Sequence, residues 1–181
     1  MRKTRFVRLV LMALLALGAP AQAEEALDLT GIYEIQGETT VQGSPDRFVI
    51  TGKLVLRQKG DELTTIVEAA MRRAAGNTGP VSAALIGSGT MKLAGRKLTG
   101  TAELQSLVSE VPDLDVAVPF APRTAGPVLD AVAEGEVLPD GALKLEIRST
   151  VTGEGFTLPE GRKTVVIAKR VARSPHELKK K

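Results

Sequence analysis

Apolar and polar positions alternate with a period of two along most of the chain beyond Gly31, which is the spacing of strands with one buried face rather than of amphipathic helices. Phe48, Ile50, Leu54 and Leu56 fall on one side of the first clear row, with Thr51, Lys53 and Arg57 on the other. Leu143, Leu145, Ile147 and Val151 repeat the pattern against Lys144, Glu146, Arg148 and Thr150. Two further rows are rich in small residues: Leu85, Gly87, Gly89, Met91 and Leu93, then Leu98, Gly100, Ala102 and Leu104. Glycine on an inward row marks a bend or a close backbone approach, as where a sheet curls. Residues 62–75 fit either period, since Leu63, Ile66, Val67, Ala70 and Met71 also suit a helix; Thr64, Thr65 and the β-rich flanks favour a strand.

Turn chemistry separates these rows at short intervals. Gly60-Asp61, Gly95-Arg96 and Asp140-Gly141 each stand between two alternating segments, as hairpins require. Gly31 to Gly37 opens the set, and a last strand runs from about Lys163 to Ala172 after Glu160-Gly161. The expectation is an all-β antiparallel up-and-down barrel of about eight strands, with a sandwich as the alternative. Residues 105–127 interrupt the meander. Pro112, Pro119, Pro122 and Pro127 predict an extended loop there, lying over the body as a cover or placed for binding.

The N-terminus has a different pattern. Arg2, Lys3 and Arg5 precede an apolar run from Phe6 to Leu17 broken only by Arg8, and Pro20-Ala21-Gln22-Ala23 ends in the small-x-small form that signal peptidase accepts. Residues 1–23 therefore read as a cleaved secretory signal, too short for a membrane span, which places the product in the periplasm or outside the cell. The domain expected after cleavage is 24–172, followed by a basic tail at 173–181.

Cleavage also changes the charge. The full chain carries 24 basic and 21 acidic groups, and loss of Arg2, Lys3, Arg5 and Arg8 brings the basic count to 20. What is left is an acidic body with a cationic end, where Lys169, Arg170, Arg173, Lys179, Lys180 and Lys181 meet only Glu177. The tail is expected to be mobile, either as a plain solubilising end or as a peripheral contact with anionic envelope surfaces.

Composition excludes several chemistries. No cysteine is present, so there is neither a disulfide nor a thiol nucleophile, and no metal site is built on thiolates. The single histidine, His176, lies in the polar tail, which removes Ser-His-Asp and Cys-His mechanisms. Glu134 with Glu136, and Asp113 with Asp115, would suit a hydrolase or calcium on paper, but solvated faces explain them more simply. No phosphate-binding glycine motif occurs, and four phenylalanines with one tyrosine provide no stacking platform for nucleic acid. Neither do they supply the aromatic girdles of an outer-membrane barrel, whose outward band would not carry Lys53, Arg57, Lys144, Glu146 and Arg148. The expectation is a protein that is not an enzyme and has no cofactor, metal or nucleic-acid partner.

Gly31-Ile32-Tyr33 at the first strand resembles the Gly-x-Trp opening of lipocalins and related calycin barrels, with Tyr33 in place of the tryptophan. In that resemblance Arg162 or Arg170 takes the part of the arginine that packs on the aromatic, and a ligand cup at one end of the barrel is implied. Two classes of function follow. One is an envelope binding protein for a small apolar or amphipathic molecule, with Tyr33, Phe48, Met91 and Phe120 as candidate ligand contacts. The other is a structural or interaction module that shows its proline loop and edge strands to an envelope protein.

Overall fold

The computed structural model describes residues 27–43, 47–74, 82–109, 124–152, 162–174 and 177. Eight antiparallel strands follow one another: β1 (Gly31–Val41), β2 (Arg47–Lys59), β3 (Glu62–Arg73), β4 (Ser82–Ala94), β5 (Lys97–Ser109), β6 (Thr124–Val137), β7 (Leu143–Thr152) and β8 (Arg162–Ala172). Each pairs with its neighbours in sequence, and β8 returns to β1, closing the barrel. Near-neighbour hairpins make this the simplest closure the alternating rows permit, since every inward row joins one core.

Residues 62–73 form a strand, paired from Glu62↔Lys59 to Arg73↔Phe48 with β2. Burial alternates along it, with Leu63, Thr65 and Ala69 buried and Thr64, Ile66 and Glu68 exposed. Leu85, Met91, Leu98, Leu104, Leu143 and Leu145 all enter the core, on the rows that the alternation assigned to it.

The inward glycines sit where strands come closest. A Cβ at Gly87 would fall on the carbonyl oxygen of Glu103 in β5, and one at Gly52 on that of Glu68 in β3, so the backbone tolerates only hydrogen there. Gly87→Ala is expected to lower stability by about 1–3 kcal/mol, read as a denaturation midpoint shift, because the obstruction is backbone that cannot rotate away.

Two-residue turns at Gly60-Asp61 and Gly95-Arg96 start with φ of 66° and 60°, the left-handed region that favours glycine. These turns and the 138–142 loop define one rim, called here the near rim. The connections 42–46, 74–81, 110–123 and 153–161 leave from the opposite, far rim.

Three expectations are corrected. The proline segment is shorter than 105–127: β5 continues to Ser109 and β6 begins at Thr124, so Pro127 lies within a strand. A register shift between Gln105 and Leu107 accommodates it, and the Gln105 amide bridges the irregularity by donating to Gly126 O at 2.8 Å and Ser106 O at 3.0 Å. The first strand extends past Gly37 to Val41, because Glu38 to Thr40 find partners on both sides and Val41 pairs with Arg162 of β8. Edge strands are absent from the closed circuit, every strand having two neighbours; only the far half of β7 lacks a described partner on β8, since that pairing runs from Leu143↔Ala168 to Ile147↔Thr164.

The expected signal at 1–23, Pro112, Pro119, Pro122, Asp113, Asp115, Phe120, His176 and Lys179 to Lys181 lie outside the described residues. Of the tail, the Arg173 N–H donates to a Glu177 carboxylate oxygen at 2.7 Å, and the Glu177 N–H to Ser174 O at 3.1 Å.

Candidate functional site

The two ends of the barrel differ in chemistry. At the near rim a short strap, Leu27 to Thr30, is drawn across the interior. Leu29 is buried, its N–H donating to Gln58 Oε1 at 2.7 Å, while Gln58 Nε2 donates to Leu27 O at 2.9 Å and Gly60 O at 2.8 Å. Beneath the strap Tyr33 is fully buried; its hydroxyl donates to Leu29 O at 2.9 Å and accepts from Arg170 Nε at 3.0 Å. The Arg170 guanidinium lies 5.5 Å from the Tyr33 ring centroid, and its Nη2 donates to Asp28 O.

One side chain thus joins β8, β1 and the strap. Desolvation raises the Tyr33 pKa above its ordinary value, against a smaller lowering by Arg170. The Thr30 N–H, donated to Asp28 Oδ1 at 2.9 Å, is the main cause that lowers the Asp28 pKa. Arg96 knits the other side of this rim, donating to Val137 O at 2.8 Å and to Leu138 O.

The near end is also where the bulk is. Leu29, Tyr33, Leu56, Leu63, Leu98 and Leu143 are the largest fully buried apolar side chains, and all belong to it. At mid-height small inward residues, Gly52, Ala69, Gly87, Ala102 and Ala131, alternate with the buried aliphatics Leu54, Leu104, Leu129 and Val166. Towards the far rim the inward apolar side chains Phe48, Met71, Ile147 and Val151 are only half-buried.

Polar and cationic groups replace apolar ones on the inward rows of that far end. Thr39 and Thr164, paired across β1 and β8 and both buried, share a hydrogen bond of 2.8 Å between their hydroxyls. Arg73 ends the inward row of β3, with its guanidinium 5.8 Å from the Phe48 ring centroid. Arg162 opens the inward row of β8 and reaches past β1 and β2 to β3, where its Nη2 donates to Met71 Sδ at 3.4 Å.

A thioether is a weak acceptor for a guanidinium. The Arg162 Nε is buried with no hydrogen-bond partner among the described residues, and burial lowers the pKa of the group. Arginine does not lose its proton under such a shift, so the charge persists without a matching anion in view.

The sequence-derived candidates divide between these ends. Tyr33 and Met91 are buried at the near end, and Tyr33 is engaged by the strap and Arg170. Phe48 stands at the far end beside Arg73. Of the two arginines considered for Tyr33, Arg170 makes the contact and Arg162 occupies the opposite rim. Arg170 is accordingly turned to the strap and does not contribute to a free basic tail, which corrects its inclusion there.

Glu134 and Glu136 share the outer face of β6, exposed, with Glu136 opposite Lys97 and Lys144. Among the described residues no cluster of three or more carboxylates or histidines is arranged to hold a metal ion.

Arg73, Arg162, Met71, Thr39 and Thr164 were not selected from sequence as ligand contacts. A usable signal was present: Arg73 continues the parity of Leu63, Thr65, Val67, Ala69 and Met71, and Arg162 that of Thr164, Val166 and Ala168. A charge on an inward row is unusual enough to notice. Gln58 gave no such signal, because its role depends on a strap that precedes the first strand. Compared with protein-family models, curated proteins and solved structures, the chain matches none.

Proposed function

We propose that the chain is an exported β-barrel that holds a small apolar or amphipathic molecule in its interior, reached from the far rim. The gradient of packing carries this reading. The largest fully buried side chains fill the near end, small residues recur among the aliphatics of the middle, and Phe48, Met71, Ile147 and Val151 are incompletely buried beyond them. A barrel whose interior served stability alone would gain by filling that end, since each buried methylene contributes about 0.8 kcal/mol. A pocket with apolar walls and a few convergent polar groups is the usual form of a small-molecule site. The signal-like residues 1–23 support placement in a bacterial envelope. No catalytic residue is assigned.

Native mass spectrometry of protein purified from its own host is expected to show a retained small-molecule mass that is lost on denaturation. N-terminal sequencing of the same sample should begin at Glu24. A bare polypeptide mass, together with no uptake of an apolar fluorescent probe, would reject the binding reading.

A second reading, docking to an envelope protein, is favoured by Ile66, Ile86 and Val132, which are 50%, 44% and 51% exposed on the outer face. A barrel that neither retains a molecule nor takes up the probe leaves this second reading in place.

A further inference from the structure

We infer that the molecule held in the barrel is a single-tailed acidic amphiphile, its carboxylate or phosphate head bound by Arg162 at the far rim and its tail directed towards the small-residue belt. The inference rests on the binding reading above and adds the chemical class of the ligand. Arg162 is anchored by β8 next to the buried Thr39–Thr164 pair, and its guanidinium points across the interior rather than into solvent. The only acceptor it meets among the described residues is the Met71 sulfur, and Nε meets none.

A guanidinium presents its donors as a planar fork that fits two oxygens of a carboxylate or phosphate. An anion at this position would accept from Nε and a terminal nitrogen together, which the thioether does not. Arg73, on the same inward side as Met71 and two residues further along β3, supplies a second positive charge at the rim. The apolar half of the ligand follows from the walls: Ile50, Leu85, Leu104, Leu129 and Val166 are apolar core residues on the inward rows, with the buried Ser106 opposite Leu85 as a polar side chain among them.

The test compares ligands that differ only in their heads. Decanoate, decyl phosphate, decanol and inorganic phosphate are titrated calorimetrically into the full chain, below micellar concentrations. Decanoate and decyl phosphate are expected to bind about tenfold or more tightly than decanol, as charged hydrogen bonds at a desolvated site imply. A preference for one of the two identifies the head as carboxylate or phosphate.

Arg162→Gln should abolish the preference for acids over decanol, and Arg162→Lys should keep part of it. The wild-type comparison of acid with alcohol stands even if a variant folds poorly. Equal affinity for acids and alcohol overturns the acidic head and leaves the binding reading intact. Binding of none of the four overturns both. Inorganic phosphate binding as tightly as decyl phosphate overturns the amphiphile and leaves a plain anion site.

Discussion

Tyr33→Ala is expected to cost about 3–5 kcal/mol of folding stability, the loss found when a fully buried aromatic is truncated in a core that cannot collapse around the void. The site cannot collapse readily, because Leu29 above the ring is tied to Gln58 and Arg170 is tied to the strap. Tyr33→Phe separates the hydroxyl from the ring. It leaves Leu29 O without that donor and Arg170 Nε without that acceptor, so a loss of about 1–3 kcal/mol is expected.

The pH dependence of this contribution has a definite sign. The folded state holds the phenolic proton more tightly than the unfolded chain does, since burial raises its pKa above the ordinary value of 10.0. The stabilisation is therefore fully present below about pH 10 and is lost as pH rises through the folded pKa. With one tyrosine and no tryptophan in the chain, phenolate absorbance reports this ionisation directly. Urea denaturation of both proteins across that range should show an alkaline loss in wild type that is smaller in Tyr33→Phe. Identical profiles would show that the buried hydroxyl is not the group responsible.

Leu145→Ala is expected to cost about 2–5 kcal/mol, while the adjacent Glu146→Ala leaves the urea midpoint unchanged within error. Leu145 is 4% exposed and faces the core across from Gly135, where a Cβ would run into the Leu145 Cδ2 atom. Removing the leucine thus empties space that its partner strand has no side chain to refill. Glu146 points outward. The hydrogen bond from Lys163, at 2.8 Å, lowers its carboxyl pKa, but both groups are about half exposed and Glu134 stands directly across the ladder. Loss of an exposed ion pair is offset by relief of the like-charge neighbour. Equal costs at the two positions would show that the inward row of β7 is wrongly assigned.

The strands were legible because a one-residue slip would expose a whole inward row, so alternation and turn residues constrain them together. Phe48 to Leu56 and Leu143 to Val151 fall as the pattern placed them, and even the ambiguous residues 62–73 are a strand. The boundaries at Gln105 and Pro127 were misjudged for a local reason. Proline removes one ladder donor, and a register shift next to the Gln105 side chain absorbs that loss without ending the strand.

Of the far-rim groups, only Phe48 was selected from sequence as a ligand contact. Arg162 and Arg170 are near-equivalent in sequence, each a basic residue in the last strand. Which of them meets Tyr33 depends on the direction of β8 past β1 and on the register shift between Ile32 and Tyr33.

The sequence by itself therefore determined the class of fold and which residues face inward, because both rest on local periodicity and on turns spanning a few residues. The tertiary structure decided the rest: closure through β8 and β1, the strap held by Gln58, and the division of the interior into a packed end and a cationic end. These depend on residues brought together from distant parts of the chain. Arg162 meets Met71, and Tyr33 meets Arg170, only once the ring of strands is complete.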